Sequence, residues 1–344
     1  MVFPLSASKD KAWIRFCKKF FATLSFASSI ALTFCVMSFI ATGNEGKNIA
    51  LSLTGISFVI NRCALTIKMR DLMKIPRKLE IFEVNNYKIM KWIKVLGIAS
   101  ILIATFLTSY VIFVHTIPST NKSNFLLNIT FRKPLINTIL GIAIEISIFL
   151  FGTVPMMGLM LFYTAICLHI RMIITDFTKN LLKQTELNYD NILRSYVIIK
   201  TMVEYVDGKL SFLIFNVIIY HSSAMFNSVS DFLHFSDIHS FVRRLGLHLY
   251  FITFFILFII MTSSAALVCD ASVQVGTVAM RISAETKKSS PSQQNFLSCA
   301  EKRIPLTVWN IAPITRNFIF GLLGAMLTYV ILLDSLVKKN NCVE

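Results

Sequence analysis

The sequence predicts an all-α integral membrane protein with seven transmembrane helices, a cytosolic N-terminus, an extracellular C-terminus and helices that extend into the cytosol. Three observations carry that prediction. First, 55% of the 344 residues are hydrophobic and only 15% charged, at a mean hydropathy of +0.67, whereas a soluble domain carries about a quarter charged residues. Second, seven apolar segments approach or exceed the roughly twenty helical residues needed to cross about 30 Å of hydrocarbon. Third, Lys and Arg concentrate in alternate connecting segments, the pattern that sets membrane orientation. Thirty Phe against twelve Gly and eight Pro favour long uninterrupted helices, and the alternating segments of roughly ten residues that mark a membrane barrel do not occur. The formal charge of +16 lies between oily segments, so it speaks for orientation in a lipid bilayer and against nucleic acid as a partner. The seven Cys have neither zinc-ligand nor disulfide-framework spacing.

The spans lie near Phe20–Thr42, Ile49–Ile67, Val95–Thr116, Leu135–His169, Ser211–Ser230, Leu245–Cys269 and Asn317–Leu333. Lys9, Lys11, Arg15, Lys18 and Lys19 precede the first. Its uncharged run of 23 residues exceeds the roughly 7–15 of a cleaved signal core, so it reads as a retained helix. The second and fifth spans are the most polar, rich in Ser, Asn and Thr.

With the N-terminus inside, segments 1–19, 68–94, 171–210 and 270–304 are cytosolic and hold 24 of the 34 Lys and Arg, against eight in the outer segments. The two N-x-S/T sequons, at Asn121 and Asn128, fall in a loop this orientation places outside, which makes them candidate glycosylation sites. A G-protein-coupled receptor has the opposite orientation, and its Asp-Arg-Tyr and Asn-Pro-x-x-Tyr patterns are not in the sequence.

Residues 171–210 contain no Pro and one Gly, and Ile192, Tyr196, Ile199, Val203 and Val206 recur at helical spacing. They read as the lower ends of spans four and five, continuing below the membrane and packing on each other; a surface-bound amphipathic loop is the alternative. Segment 282–295 is polar and broken by Pro291, hence a linker, and its Ser289-Ser290-Pro291 is either a phosphosite or simply solvated. Leu306–Ala312, set between Pro305 and Pro313, is expected as a short separate helix at the inner surface. The chain reads as one domain over 1–344, with 171–210 and 270–315 as cytosolic anchor-like segments and 316–337 as the last helix.

Ionisable groups inside a span are costly and therefore candidates for function. Glu145 lies ten residues from Leu135, about 15 Å below the outer face at 1.5 Å per residue. It needs a polar partner on a neighbouring helix or a ligand. Span five carries Asn216, Tyr220, His221, Ser222, Ser223 and Asn227, more hydrogen-bonding capacity than lipid tolerates. Either these groups satisfy one another between helices or they line a pocket, to which Thr108 and Tyr110 of span three and His248 and Tyr250 of span six would contribute. No arrangement suggests catalysis, a metal or a cofactor.

The last span rises from the inner surface, with Leu322, Ala325, Tyr329, Leu332 and Leu336 on one stripe and Gly321, Gly324, Thr328 and Ser335 beside it. Leu306-Thr-Val-Trp-Asn, the following Arg316 and Gly324-Ala-Met-Leu-Thr-Tyr resemble the C-terminus of arthropod gustatory receptors. Their signature is Thr-Tyr, five mostly apolar residues, then Gln-Phe. Thr328 and Tyr329 match it; Val330 to Asp334 fill the gap, and Ser335 and Leu336 stand where Gln and Phe belong. The specific similarity covers residues 300–336. The resemblance implies a tetrameric ligand-gated cation channel, homomeric or heteromeric, in the plasma membrane of chemosensory neurons, opened by a small-molecule tastant. It implies a last helix that lines the pore through Thr328, Tyr329, Leu332, Ser335 and Leu336, with Leu336 as a hydrophobic plug, and a ligand pocket in the outer half of the remaining bundle. Asp334 near the mouth would favour cations; Lys338 and Lys339 would oppose it if they point inward. The alternative is a pore-less transporter or helix-bundle scaffold.

Overall fold

The structure is a computed structural model and describes residues 45–79, 82, 91, 94–95, 97–98, 139, 153–183, 188–233, 241–285 and 290–341. Within them run α1 (Glu45–Leu72), α2 (Lys74–Leu79), α3 (Val154–Lys183), α4 (Tyr189–Leu233), α5 (Phe241–Glu285), α6 (Pro291–Glu301), a hairpin of β1 (Thr307–Val308) and β2 (Ala312–Pro313), and α7 (Arg316–Asn341). The second, fifth, sixth and seventh expected spans fall in α1, α4, α5 and α7, and the inner part of the fourth in α3. The first span, nearly all of the third and the outer part of the fourth lie outside the described residues. Among those described, α3 and the Phe251–Ala284 stretch of α5 are long and apolar enough to cross a membrane.

The 45 residues of α4 and of α5 give each helix a length of about 67 Å at 1.5 Å per residue, twice the hydrocarbon thickness. Neither helix would fit within that thickness along its whole length. The expected stripe of α4 is there: Ile192, Tyr196, Ile199, Val203 and Val206 are all buried. Tyr196 sits between Phe177 of α3, at 5.7 Å between ring centroids, and Phe296 of α6, at 5.8 Å edge-on. The lower ends of spans four and five thus meet as expected, although α3 packs chiefly along α5 and α4 chiefly along α1. Helix α1 runs antiparallel to α4. Lys68 Nζ lies 5.4 Å from the Phe212 ring centroid, Lys78 Nζ 3.7 Å from that of Tyr205, and Asp71 bridges Lys209 at 3.0 Å and Lys74 at 2.9 Å.

Helix starts are set locally. Asn188 Oδ1 accepts the Asn191 N–H at 3.2 Å and caps α4. Ser290 caps α6: its Oγ accepts the Gln293 N–H at 3.2 Å while Gln293 Oε1 accepts the Ser290 N–H at 3.4 Å, with Pro291 in the first turn. The linker expected over 282–295 is therefore shorter. The helix α5 persists to Glu285, and Pro291 opens α6 instead of breaking structure. At Gly276 of α5 an added Cβ would lie 2.7 Å from the Ala300 carbonyl oxygen, so the end of α6 approaches α5 as closely as it does only because that position lacks a side chain.

The short helix expected over Leu306–Ala312 is corrected by the structure. The segment is an antiparallel hairpin pairing Thr307 with Pro313 and Val308 with Ala312. β-branched Thr307 and Val308 suit extended backbone. Trp309 and Asn310 reverse the chain at φ 50° and 54°, a left-handed conformation that costs a non-glycine residue about 1–2 kcal/mol. Tertiary contacts compensate. The Trp309 N–H donates to the Ser211 carbonyl at 3.2 Å, and its ring packs 4.9 Å from Phe215 and 5.6 Å from Phe212.

Candidate functional site

Two places on this scaffold carry chemistry. The first is in the bundle. Most buried polar groups of α4 and α5 turn back onto their own helix, each bonding the carbonyl four residues earlier. Asn216 Nδ2 donates to Phe212 at 3.0 Å, Ser223 to Ile219 at 2.8 Å, Ser228 to Ala224 at 2.9 Å and Thr262 to Phe258 at 2.7 Å. For Asn216 and Ser223 this back-bonding takes the place of the bonding between helices that is one of the two readings of span five. A smaller set does not fit the pattern. Tyr220 reaches across to α3, its Oη 3.2 Å from Thr153 Oγ1. His221 is fully buried, with its ring centroid 4.7 Å from Phe254 of α5 and 5.3 Å from Tyr220. Its Nδ1 bonds the Val217 carbonyl at 2.8 Å, and among the described residues its Nε2 has no partner. On α1, the fully buried Asn61 likewise has no partner for either side-chain polar atom among the described residues. Counting seven residues up from Lys68 and from Phe212, which meet, sets Asn61 level with Ile219. Ser222 Oγ, next to His221 in the chain, is also buried without a partner among the described residues.

The structure thus brings Tyr220 and His221 together and adds Thr153 and Phe254, which the sequence did not single out. Thr153 is one hydroxyl at the end of an oily run, and Phe254 is one of thirty Phe; only adjacency in space marks either. Asn216 is buried a turn below and bonded to its own helix. His248 is exposed on α5, and Tyr250 lies in the same helix with its side chain outside the described residues. Thr108, Tyr110, Glu145 and the sequon residues Asn121 and Asn128 lie outside the described residues.

The second place is α7 and its base. The helix holds to its own chain through its lower third, where Ile319 is buried and Phe318, Leu322 and Leu323 pack on the core. Phe320 in that third already faces outward at 73% exposed, and of the described side chains beyond Leu323, Leu327 is 63% exposed, Tyr329 64%, Ile331 68% and Leu332 51%. Thr328 is exposed, its hydroxyl donating to the Gly324 carbonyl at 2.9 Å. Ser335 and Leu336 are in the helix, with side chains outside the described ones. Two handles grip the base. Arg316 Nη2 and Nε lie 2.7 and 3.1 Å from Asp270 Oδ2 on α5. The Asp207 carboxylate on α4 accepts the Thr307 N–H at 2.7 Å and the Thr307 hydroxyl at 2.6 Å. Burial pushes the Asp207 carboxyl above its usual range, against the downward pull of the two Thr307 bonds.

No protein-family model matches the chain, and no curated protein does. Among solved structures, the insect olfactory receptor OR5 from Machilis hrabei superposes with a TM-score of 0.68 at 15% identity, covering 97% of this chain and 92% of that one. The same receptor in complex with eugenol gives 0.71, again at 15% identity, over 98% and 93%. The chain therefore shares its overall fold with that receptor over nearly the whole length of both.

Proposed function

We propose that the chain is a subunit of a gustatory-type ligand-gated cation channel, a homo- or hetero-tetramer in the plasma membrane of chemosensory neurons that opens on a small-molecule tastant. Its seven spans run from a cytosolic N-terminus to an extracellular C-terminus, with Asn121 and Asn128 glycosylated outside. The observation that carries the reading is α7: an apolar helix whose described side chains from Gly324 to Leu332 are exposed, with Thr328, Tyr329 and Ser335 in its sequence among aliphatic residues. Lipid alone is a poor cover for such mixed polarity. Copies of the same helix arranged around an aqueous passage bury the apolar part and wet the rest. Leu336 then closes the passage by dewetting, Ser335 lies beside it, and Asp334 favours cations near the mouth.

Ligand binds within each subunit, beside Tyr220, His221, Phe254 and Thr153, and shifts the closed–open equilibrium by binding the open form more tightly. The two helices that wall this pocket, α4 and α5, also hold the two handles on α7. Asp207 lies 14 residues below His221, and Asp270 lies 16 beyond Phe254, distances of about 21 and 24 Å at 1.5 Å per residue. A tilt of either helix therefore pulls on the base of the pore helix. The eugenol complex of the Machilis receptor makes small aromatics a sensible start to a tastant panel.

The test is whole-cell current from cells expressing the chain alone. Leu336→Ser is expected to raise the basal current, and a cysteine placed at 335 to react with a water-soluble thiol reagent. An unchanged basal current together with a permanently sealed position 335 would refute the pore assignment. A mobility shift on glycosidase treatment, lost in Asn121→Gln/Asn128→Gln, tests the orientation.

A further inference from the structure

The Val217 carbonyl can only accept a hydrogen bond, so the 2.8 Å contact from His221 fixes the proton on Nδ1. The ring lies against Phe254 and Tyr220, at 4.7 and 5.3 Å, and is wholly buried. A charged ring in such a setting would need a counter-charge, and no carboxylate is among its described contacts. In the neutral Nδ1–H form, Nε2 is a bare lone pair. It has no donor among the described residues. Nearby Tyr220 Oη is already paired with Thr153 Oγ1 at 3.2 Å. A buried acceptor left without a donor is costly, and whatever brings a donor gains by removing that cost.

Resting on the reading of this cluster as the ligand pocket, we infer that the ligand carries a hydrogen-bond donor, a hydroxyl or an N–H, and gives it to His221 Nε2. The aromatic rings of Phe254 and Tyr220 beside the imidazole suit a small apolar body. The ligand class is accordingly a compact neutral molecule, aromatic or short aliphatic, with one donor at one end. Anions and donor-free hydrocarbons, ethers and esters bind less tightly, because none supplies the donor that would remove the cost Nε2 already bears, and an anion would also meet its lone pair.

The test uses size-matched pairs on cells expressing the full chain: each alcohol or phenol beside the analogue in which CH3 replaces OH, such as 4-ethylphenol and 4-ethyltoluene. The hydroxyl member is expected to activate at a concentration at least about tenfold lower. His221→Phe, which keeps a flat ring and removes the acceptor, is expected to bring the two members of each pair together by weakening the hydroxyl compound. Equal potency within pairs on the unmodified chain overturns the inference without any variant, so the test survives a poorly folding His221→Phe. A preference that persists undiminished in His221→Phe overturns it too, because the donor then goes elsewhere. A chain that reaches the cell surface and answers no member of a broad panel refutes the receptor reading itself, and that result is distinct from either failure of the inference.

Discussion

The Asp207–Thr307 handle gives the sharpest quantitative expectation. Its carboxylate accepts two short bonds, at 2.7 and 2.6 Å, and bonds to a charged group contribute about 1.5–3 kcal/mol each. Asp207→Ala therefore forfeits roughly 3–6 kcal/mol of bonding. It also removes the cost of a carboxylate pushed up by burial, leaving a net loss of about 2–4 kcal/mol. With about 2.1 cal/mol/K of unfolding entropy per residue, 344 residues convert this to a fall in Tm of roughly 3–6 °C. Asp207→Asn behaves differently. The amide oxygen still accepts the Thr307 N–H, the hydroxyl of Thr307 can reverse and accept from Nδ2, and the buried charge is gone, so stability stays within about 1 kcal/mol. Thr307→Val falls between, because it strands one carboxylate oxygen. The assay is thermal unfolding of the purified full chain in detergent, followed by the loss of the monodisperse size-exclusion peak. An Asp207→Ala protein that melts with the unmodified chain, or an Asp207→Asn protein as damaged as Asp207→Ala, would show that the hairpin is not held by these bonds.

Gly276→Ala should destabilise by about 1–2 kcal/mol, since forcing a Cβ to within 2.7 Å of the Ala300 carbonyl costs about 1–3 kcal/mol against at most about 1 kcal/mol of helix propensity gained. Gly158→Ala and Gly208→Ala, with nothing within 4 Å of the added carbon, should instead stabilise or leave Tm unchanged; all three are read in the same melting assay. Asp71, bonded to Lys74 and Lys209, is held down at about 2, so its contribution is present above about pH 4 and is lost as pH falls from there towards 2. The melting difference between the unmodified chain and Asp71→Asn should thus be constant from pH 5 to 8 and shrink only in acid, and it should also shrink at high salt because the pair is exposed. Leu336→Ser should raise basal current in the absence of any tastant, and Leu336→Phe, which restores the gustatory signature at that position, should not.

The sequence alone determined what depends on composition and period. Long apolar runs must be helices in a bilayer, because no other single segment satisfies its own backbone there. The 3.6-residue stripe of Ile192, Tyr196, Ile199, Val203 and Val206 marks one helix face, and that face is the buried side of α4. The motif at Thr328-Tyr329 points to an overall helical architecture, and the chain does share its fold with the Machilis receptor. What the tertiary structure decided is everything that rests on contacts between residues far apart in the chain. Leu306–Ala312 reads as a turn of helix until Asp207, Ser211, Phe212 and Phe215 of α4 stabilise a left-handed Trp309 and make it a hairpin. Ser290-Pro291 reads as a break until Gln293 closes the cap. Thr153 and Phe254, about a hundred residues apart, meet Tyr220 and His221 only because the start of α3 and the helices α4 and α5 pack together there. Local pattern fixes which face of a helix avoids water; which neighbour covers that face, and which buried nitrogen is left wanting a donor, is settled only when the helices pack.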